Sequence, residues 1–478
     1  MLSRLERCAP EQAGVSSEAL LEVLRGLDGC EQLHSLMVVR HGRVICEGWW
    51  APYRHDEPHQ MFSLSKSFTS SAIGMCVQEG RLSIDEPLTR YLRDLMPEQL
   101  TPQLSRMTAR HLLTMASGHG ECIAWRLVAN GEQDWARAFF AHPLVTEPGS
   151  TFVYNSMATY MLSVLVTRLT GEKLLDYLMP RLFEPLGIAR PEWDECPRGF
   201  NTGGWGLHLT TEDIAKFGQL YLQRGVWEGR RLLDESWIDQ ATSAQIDNSP
   251  GRVLDWAEGY GFQFWRCCPE GVYRGDGAYG QYCIVAPKQD LVIAITETAA
   301  DMQRPLTLLW ERLLPLCGEK PLPPNPTAQE RLWEYAANLM VRTPEGKASA
   351  PSLELPCEAA LEDNGQGFTG VRLEFDGDGC LLTVSRRDGD DRVFTYGRGD
   401  WRYSRDSWDP IHDWPHSAGR MAWQANGDLL LRSCEVDGPF RYDVTLHFAA
   451  PGRLETMTCA KNCHFWGSKD WPVFRARQ

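Results

Sequence analysis

The sequence EKPLPPNPTAQE, from Glu319 to Glu330, carries Pro321, Pro323, Pro324 and Pro326 within six residues. Proline fixes φ and removes a backbone donor, so neither a helix interior nor a sheet ladder runs through such a stretch. The chain is therefore read as two folding units joined by a stiff connector. The expected boundaries are a first unit over 1–318, the connector and a following helix over 319–350, and a second unit over 351–478. With 478 residues in all, each unit is long enough to bury its own core.

The two sides of the connector differ in pattern. Upstream, helical and strand-like runs alternate from Pro10 to about Leu316, which predicts a unit of mixed helices and strands. SLMVVRHGRVICEGWW reads as an edge hairpin turning at His41-Gly42, which makes His41 a turn residue. Just past the connector, Leu332, Tyr335, Ala336 and Leu339 recur at helical intervals. Downstream of Leu353 the chain reads as strands and turns: VRLEF and CLLTV flank Asp376-Gly377-Asp378-Gly379, and MAWQA and DLLLR flank Asn426-Gly427. Such dipeptides supply the positive φ that hairpins need, so the tail is expected to be an all-β barrel or sandwich. Its Trp401, Trp408, Trp414, Trp423, Trp466 and Trp471 either fill a small β core or form a stacking platform for a ligand.

The formal net charge of −15, with no long basic run, excludes an electrostatic grip on nucleic acid or on an anionic membrane. Arg4, Glu6 and Arg7 interrupt any apolar stretch at the N-terminus, and no later segment reaches the roughly 20 apolar residues of a membrane helix. A cytoplasmic protein is expected. Fifteen cysteines without a Cys-x-x-Cys pair fit reduced thiols. Cys459, Cys463 and His464, with His412 and His416, are the nearest approach to a metal cluster. Pro415 keeps His412 and His416 off a common helix face, and no metal or cofactor is expected.

The chemistry concentrates in MFSLSKSFTSSAIGMCVQEG. Phe68, Ala72, Met75 and Cys76 mark a helix that Gly80 is placed to end, with Ser63 and Lys66 three apart at its start. That spacing puts the amine beside the hydroxyl, where a solvated surface lysine is the bland alternative. Lysine suits proton transfer because burial lowers its pKa, whereas arginine stays protonated; the chain has only 8 Lys against 40 Arg. No other Ser is followed by Lys at this spacing. The helix N-terminus also favours an oxyanion near Ser63. Downstream, Tyr154 lies on a loop before a strongly apolar helix, and VYRGDGAYGQYCIVAPKQDLVIAI reads as a glycine-interrupted strand turning into a second strand, an edge that a substrate backbone can approach closely.

These three segments, in this order, resemble the serine β-lactamase and penicillin-binding protein superfamily, and within it the class C-like branch that also holds family VIII carboxylesterases, D-stereospecific peptidases and nylon-oligomer hydrolases. The resemblance spans about residues 8–316 and includes GVSSEAL, HLLTMASG and FNTGGWGLHLTTEDIAKFGQLYLQRG. It implies an α/β (α+β) β-lactamase/transpeptidase-like core, with an antiparallel sheet flanked by helices plus a helical subdomain, and it implies Ser63 as the acylated nucleophile, Lys66 as its base or relay, and Tyr154 as the proton carrier of the second motif. The oxyanion hole would be the backbone N–H groups of Ser63 and Ala278. Asn155, Ser156, Gly275, Asp276 and Gly277 would contact substrate.

Two departures bear on that substrate. Tyr154 is followed by Asn155 and Ser156, so the third-position amide of Tyr-x-Asn is absent. Gly275 replaces the usual cation of the third motif, and Asp276 either points into the cleft or braces the strand. The resemblance therefore implies a serine hydrolase acting through an acyl-enzyme on an ester or amide of a small molecule or short peptide, and a poor β-lactamase. The alternative is an inert binding or scaffold protein that keeps the fold. The Gly203-Gly204 loop reads either as cleft backbone or as close packing. Asp213 reads as a helix-start residue, and His119 as a turn residue or a cleft residue.

Overall fold

The structure, a computed structural model, describes residues 4–347, 355–409, 414–463 and 471–477. Seven strands form the central sheet of the first unit: β1 (Glu6–Arg7), β2 (Leu33–Arg40), β3 (Arg43–Trp49), β4 (Trp265–Arg266), β5 (Tyr273–Gly277), β6 (Gln281–Ala286) and β7 (Leu291–Glu297). Their order across the sheet is β1-β3-β2-β7-β6-β5-β4, antiparallel except for β1 on β3. The β2–β3 hairpin turns at His41 and Gly42, both at positive φ, and Asp290 holds the His41 ring at 2.6 Å. The glycine-interrupted run yields three strands rather than two, because Pro287 opens a short turn and Asp290 adopts φ +48° before β7.

Both faces of the sheet are covered, which is why its strands read as near-continuous apolar runs. Val38, Ile45, Ile284 and Ile293 face one core, while Met37, Val39, Cys283 and Val292 alternate into the other. Helix α1 (Ser17–Asp28) lies on the first face; α2 (Ser65–Gln78), α3 (Ser156–Thr170) and α4 (Thr211–Leu222) build the second core with shorter helices between residues 89 and 183. Asp213 closes a capping box with Thr210 at the start of α4.

The proline-rich connector is docked. The Leu322 N–H donates to the Glu11 carbonyl at 2.8 Å, and Asn325 caps helix α5 (Pro326–Ala337), whose Tyr335 hydroxyl donates to Asp28 of α1 at 2.6 Å.

Beyond it, ten strands from Cys357–Ala360 to Phe474–Arg475 form one sheet among the described residues. The sheet curls until its edges meet: Leu361 bridges Ala476, and the N–H groups of Arg477 and Glu362 donate to Ala360 and Arg475 at 2.7 and 2.8 Å. The result is a barrel. Trp408, Trp414 and Trp423 are buried inside the unit, with Trp408 stacked on Phe394 at 4.4 Å, so these three pack the core. Trp401 and Trp471 are half-buried, and Trp466 lies outside the described residues. Cys459 and Cys463 are buried and His416 lies 3.1 Å from Asp437, while His412 and His464 lie outside the described residues. None of the fifteen cysteines, all of them among the described residues, is joined in a disulfide, and no described helix is long and apolar enough to cross a membrane.

The barrel touches the first unit through the Gln60 N–H to the Asp437 carbonyl at 2.8 Å, Asn462 to Thr298 at 3.1 Å, and the Tyr403 hydroxyl to the Pro52 carbonyl at 2.8 Å. Inside it, one Glu435 oxygen accepts the Trp408 N–H at 2.8 Å, and burial pushes the Glu435 carboxyl up to about 8 from 4.5. The folded chain then keeps a proton that the unfolded chain releases near 4.5, so this group makes stability fall as pH rises from 4.5 to about 8. Glu435→Gln is expected to be more stable than wild type at about pH 8, by a few kcal/mol at most, with the gap closing toward about pH 5. Urea unfolding across that range measures it.

Candidate active site

Ser63 does not start the α-helix itself. It sits in a 3-10 turn, Phe62–Leu64, that leads directly into α2. The turn is tied to a neighbouring segment: the Met61 N–H donates to the Leu207 carbonyl at 2.8 Å, the Leu207 N–H donates to Ser65 Oγ at 3.1 Å, and Ser65 Oγ donates to the Phe62 carbonyl at 2.6 Å. Helix α2 is buried on every side from Ser65 to Cys76. Three of its hydroxyls bond to the elements around it, with Ser67 donating to the Gln263 carbonyl, Thr69 to the Gly203 carbonyl, and Ser71 paired with the Tyr221 hydroxyl, each at 2.8 Å. The bland alternative of a solvated lysine on an amphipathic helix does not hold here.

Lys66 is 1% exposed. Its Nζ donates to Ser63 Oγ at 2.8 Å, to Ser156 Oγ at 3.0 Å and to the Gly204 carbonyl at 2.6 Å. Burial brings its pKa down from 10.5 to about 7, because an ammonium surrounded by protein loses the hydration that favours its charge. The Gly204 carbonyl is a partner the sequence reading did not assign. The Gly203-Gly204 loop is both cleft backbone and close packing: a Cβ on Gly204 would lie 2.7 Å from the Ser156 carbonyl oxygen.

Tyr154 is half-buried, with the Lys66 Nζ 5.0 Å from its ring centroid. Burial pushes its phenol well above the ordinary range, against a hydrogen bond with Ser63, so the group stays protonated. Ser156 completes the cluster through Lys66. Asn155, expected to contact substrate, is instead buried at the start of α3. Its Oδ1 accepts the Met157 N–H at 3.0 Å and its Nδ2 donates to the Glu121 carbonyl at 3.4 Å, so its side chain caps the helix. His119 is buried as well, between Ser117 Oγ at 3.0 Å and the Phe139 carbonyl at 3.1 Å, which makes it a loop-core residue.

Strand β5 runs against the Ser63 turn. A Cβ on Gly275 would lie 2.4 Å from Leu64 Cδ1, and one on Gly277 would lie 2.2 Å from the Met61 carbonyl oxygen. The two glycines are what let the strand approach so closely. On the other face of the strand, Asp276 is buried and accepts from Arg274 Nε at 2.8 Å. Its charge is matched inside the strand, which is the bracing one of the two readings of Asp276. Outer strand β4 pairs only with Tyr273 and Arg274, which leaves the edge at Gly275–Gly277 open among the described residues. The Ser63 and Ala278 N–H groups have no acceptor among the described residues.

Both of these free donors adjoin a left-handed aromatic residue. Phe62, before Ser63, has φ +46°, and Tyr279, after Ala278, has φ +67°. Bulky side chains rarely adopt this region, and each such residue stores about 1–3 kcal/mol of strain. The two rings meet at 5.3 Å, and Phe440 of the barrel closes on both, at 6.4 Å from Phe62 and 4.9 Å from Tyr279. No sequence pattern flagged these three rings.

The Beta-lactamase family signature matches residues 32–314, more than half of the chain, and the chain belongs to that family. It is 26% identical over 337 residues to the 6-aminohexanoate-dimer hydrolase of Paenarthrobacter ureafaciens, covering 65% of this chain and 84% of that protein. It is 28% identical over 178 residues to esterase EstB of Burkholderia gladioli, covering 32% of this chain and 44% of that protein. The octameric penicillin-binding protein homologue of Pyrococcus abyssi shares the fold over 96% of this chain and 99% of its own, with a TM-score of 0.51 and 16% identity.

If the Phe440 ring holds the two strained residues in place, Phe440→Ala lowers the rate at which Ser63 reacts with a fluorophosphonate, alongside a loss of about 3–5 kcal/mol of stability typical of a buried phenylalanine. Phe440→Leu, which refills part of the space, is expected to recover stability more than reactivity. Labelling kinetics paired with urea unfolding separates the two effects.

Proposed function

We propose that the protein is a serine hydrolase that cleaves an ester or amide bond of a small molecule or short peptide through an acyl-enzyme, in the reducing cytoplasm. The observation that carries the reading is the Lys66 amine, buried and 2.8 Å from Ser63 Oγ. With its pKa near 7, a large fraction of Lys66 is neutral at physiological pH and can accept the Ser63 proton as Oγ attacks the carbonyl carbon. The carbonyl oxygen gains negative charge between the N–H groups of Ser63 and Ala278, which lie at the start of the nucleophile turn and the end of β5. Tyr154, held as a neutral phenol, protonates the departing alcohol or amine. Water then attacks the acyl-enzyme, with the same groups returning the proton to Ser63.

The family, and the hydrolase and esterase among the relatives, support this class of reaction. β-Lactam hydrolysis is not the main task in this reading. The cation that the family places at the first position of the third motif is replaced by Gly275, whose Cβ direction is filled by Leu64.

Ser63→Ala is expected to abolish both fluorophosphonate labelling and turnover of 4-nitrophenyl esters, with intact mass placing the adduct on Ser63 in wild type. Equal, negligible reactivity of the two proteins would overturn the reading in favour of an inert binding protein. The pH profile gives a second check. Lys66 acts as the free amine, so kcat/KM should rise with pH through an apparent pKa near 7 and level off above it. Lys66→Arg keeps the charge but cannot release it, and should lose at least about 100-fold in kcat, in line with the usual contribution of a general base.

A further inference from the structure

The third motif has no cation, yet a cation stands near the other wall of the site. Trp265 lies against Tyr154, with ring centroids 5.5 Å apart, and the Arg252 guanidinium lies over Trp265 at 5.6 Å and over Phe152 at 5.0 Å. Lys66, Tyr154, Trp265 and Arg252 thus form one continuous stack leading outward from Ser63. Arg252 is half-buried and has no carboxylate partner among the described residues. Nearby acids are committed elsewhere. Asp276 is bound to Arg274, and Asp255 accepts from the Cys268 N–H, Gln303 and Trp310 at 2.9, 2.6 and 3.0 Å.

A half-buried guanidinium held on two aromatic faces keeps its planar fork free for a planar anion. The residues that follow it are unusual in the opposite sense: Val253 is 72% exposed and Leu254 is 56% exposed, both on the same loop. An anion-binding group beside an exposed apolar pair suits a ligand that carries a carboxylate on an aliphatic chain.

We propose that Arg252 binds the carboxylate of the substrate, and that the substrate is an ester or amide with an aliphatic chain ending in that carboxylate. This inference takes from the acyl-enzyme reading only the position of the reacting carbonyl at Ser63. It assigns the anion to the loop over 249–256, replacing the strand position that Gly275 leaves empty of charge.

The test separates binding from chemistry. Calorimetric titration of the Ser63→Ala protein compares monomethyl adipate with dimethyl adipate, which differ only in the free carboxylate. The expected result is about 10- to 100-fold tighter binding of the monoacid, the range for a charge-assisted hydrogen-bond pair. Adding Arg252→Gln brings the ratio close to one, and Arg252→Lys retains part of it. Equal binding of the two compounds, or a preference that survives Arg252→Gln, overturns the proposal. In parallel, mono-4-nitrophenyl adipate is compared with its methyl-capped diester in the enzyme with Ser63 intact. Absence of Ser63-dependent turnover there defeats the acyl-enzyme reading while the titration still decides the role of Arg252.

Discussion

A lysine side chain removed from water sets the terms for most of this site. Moving Lys66 from 10.5 to about 7 corresponds to about 5 kcal/mol against the ammonium relative to the free amine. Such a group is tolerated only where oxygen atoms replace its lost hydration. Here they come from three separate places: the turn before α2, the first residue of α3 and the Gly203-Gly204 loop. Each must stay within hydrogen-bonding reach of one nitrogen, so their relative positions are mutually constrained. Ser67, Thr69 and Ser71 along α2 extend the same logic, because their hydroxyls tie the buried helix to neighbouring segments. The polarity of this helix is thus a consequence of its position at the junction, where an entirely apolar helix would leave carbonyl groups of the surrounding loops without partners.

The free N–H groups of Ser63 and Ala278, the proposed oxyanion donors, depend on a second constraint, which crosses the two units. Ser63 and Ala278 belong to distant parts of the chain, and each is delivered by backbone next to a strained aromatic. Strain of that kind persists only where surrounding structure holds it. The Phe62 and Tyr279 rings are packed against each other and against Phe440, a residue of the barrel. The barrel is therefore more than an appendage joined by a linker. It supplies one side of the packing that fixes both donors, and its contact through Gln60 and Asp437 falls three residues before Ser63.

How far the sequence reached depended on whether the signal was local. Ser63 and Lys66 were legible because a three-residue spacing on a helix is a local geometric fact, and Asp213 because a capping box is local too. The all-β character of the second unit could be read from its hairpin dipeptides, although barrel rather than sandwich, through closure between Leu361 and Ala476, could not, since no local feature reports which strands become edges. Asn155 was misplaced for a related reason. Its position after Tyr154 suggested the cleft, but a residue one step before a helix has a strong local use as a cap, and that use prevailed. The Gly204 carbonyl and the Phe62–Tyr279–Phe440 cluster were illegible, because backbone acceptors carry no residue signature and the cluster joins positions hundreds of residues apart.

Gly275 shows how one packing requirement propagates into specificity. The strand lies so close to the nucleophile turn that a Cβ would sit 2.4 Å from Leu64 and 2.8 Å from Ser67 Oγ, and at Gly277 the obstacle is the Met61 backbone itself. A long cationic side chain at 275 would have to displace the Leu64 and Ser67 side chains that fill its place. The present packing of these two side chains and a cation at 275 are therefore competing demands in this chain. The close packing has prevailed, so the cation proposed for the substrate's carboxylate comes from a different element. The ring stack that starts at Tyr154 leads to the Arg252 guanidinium, on a loop that Arg274 of the strand holds through the Asp255 carbonyl at 3.0 Å. In the proposed reading the strand brings the Ala278 N–H to Ser63 while the loop carries the cation, and Arg274, bound to Asp276 on one side and to the Asp255 carbonyl on the other, fixes the two elements relative to each other.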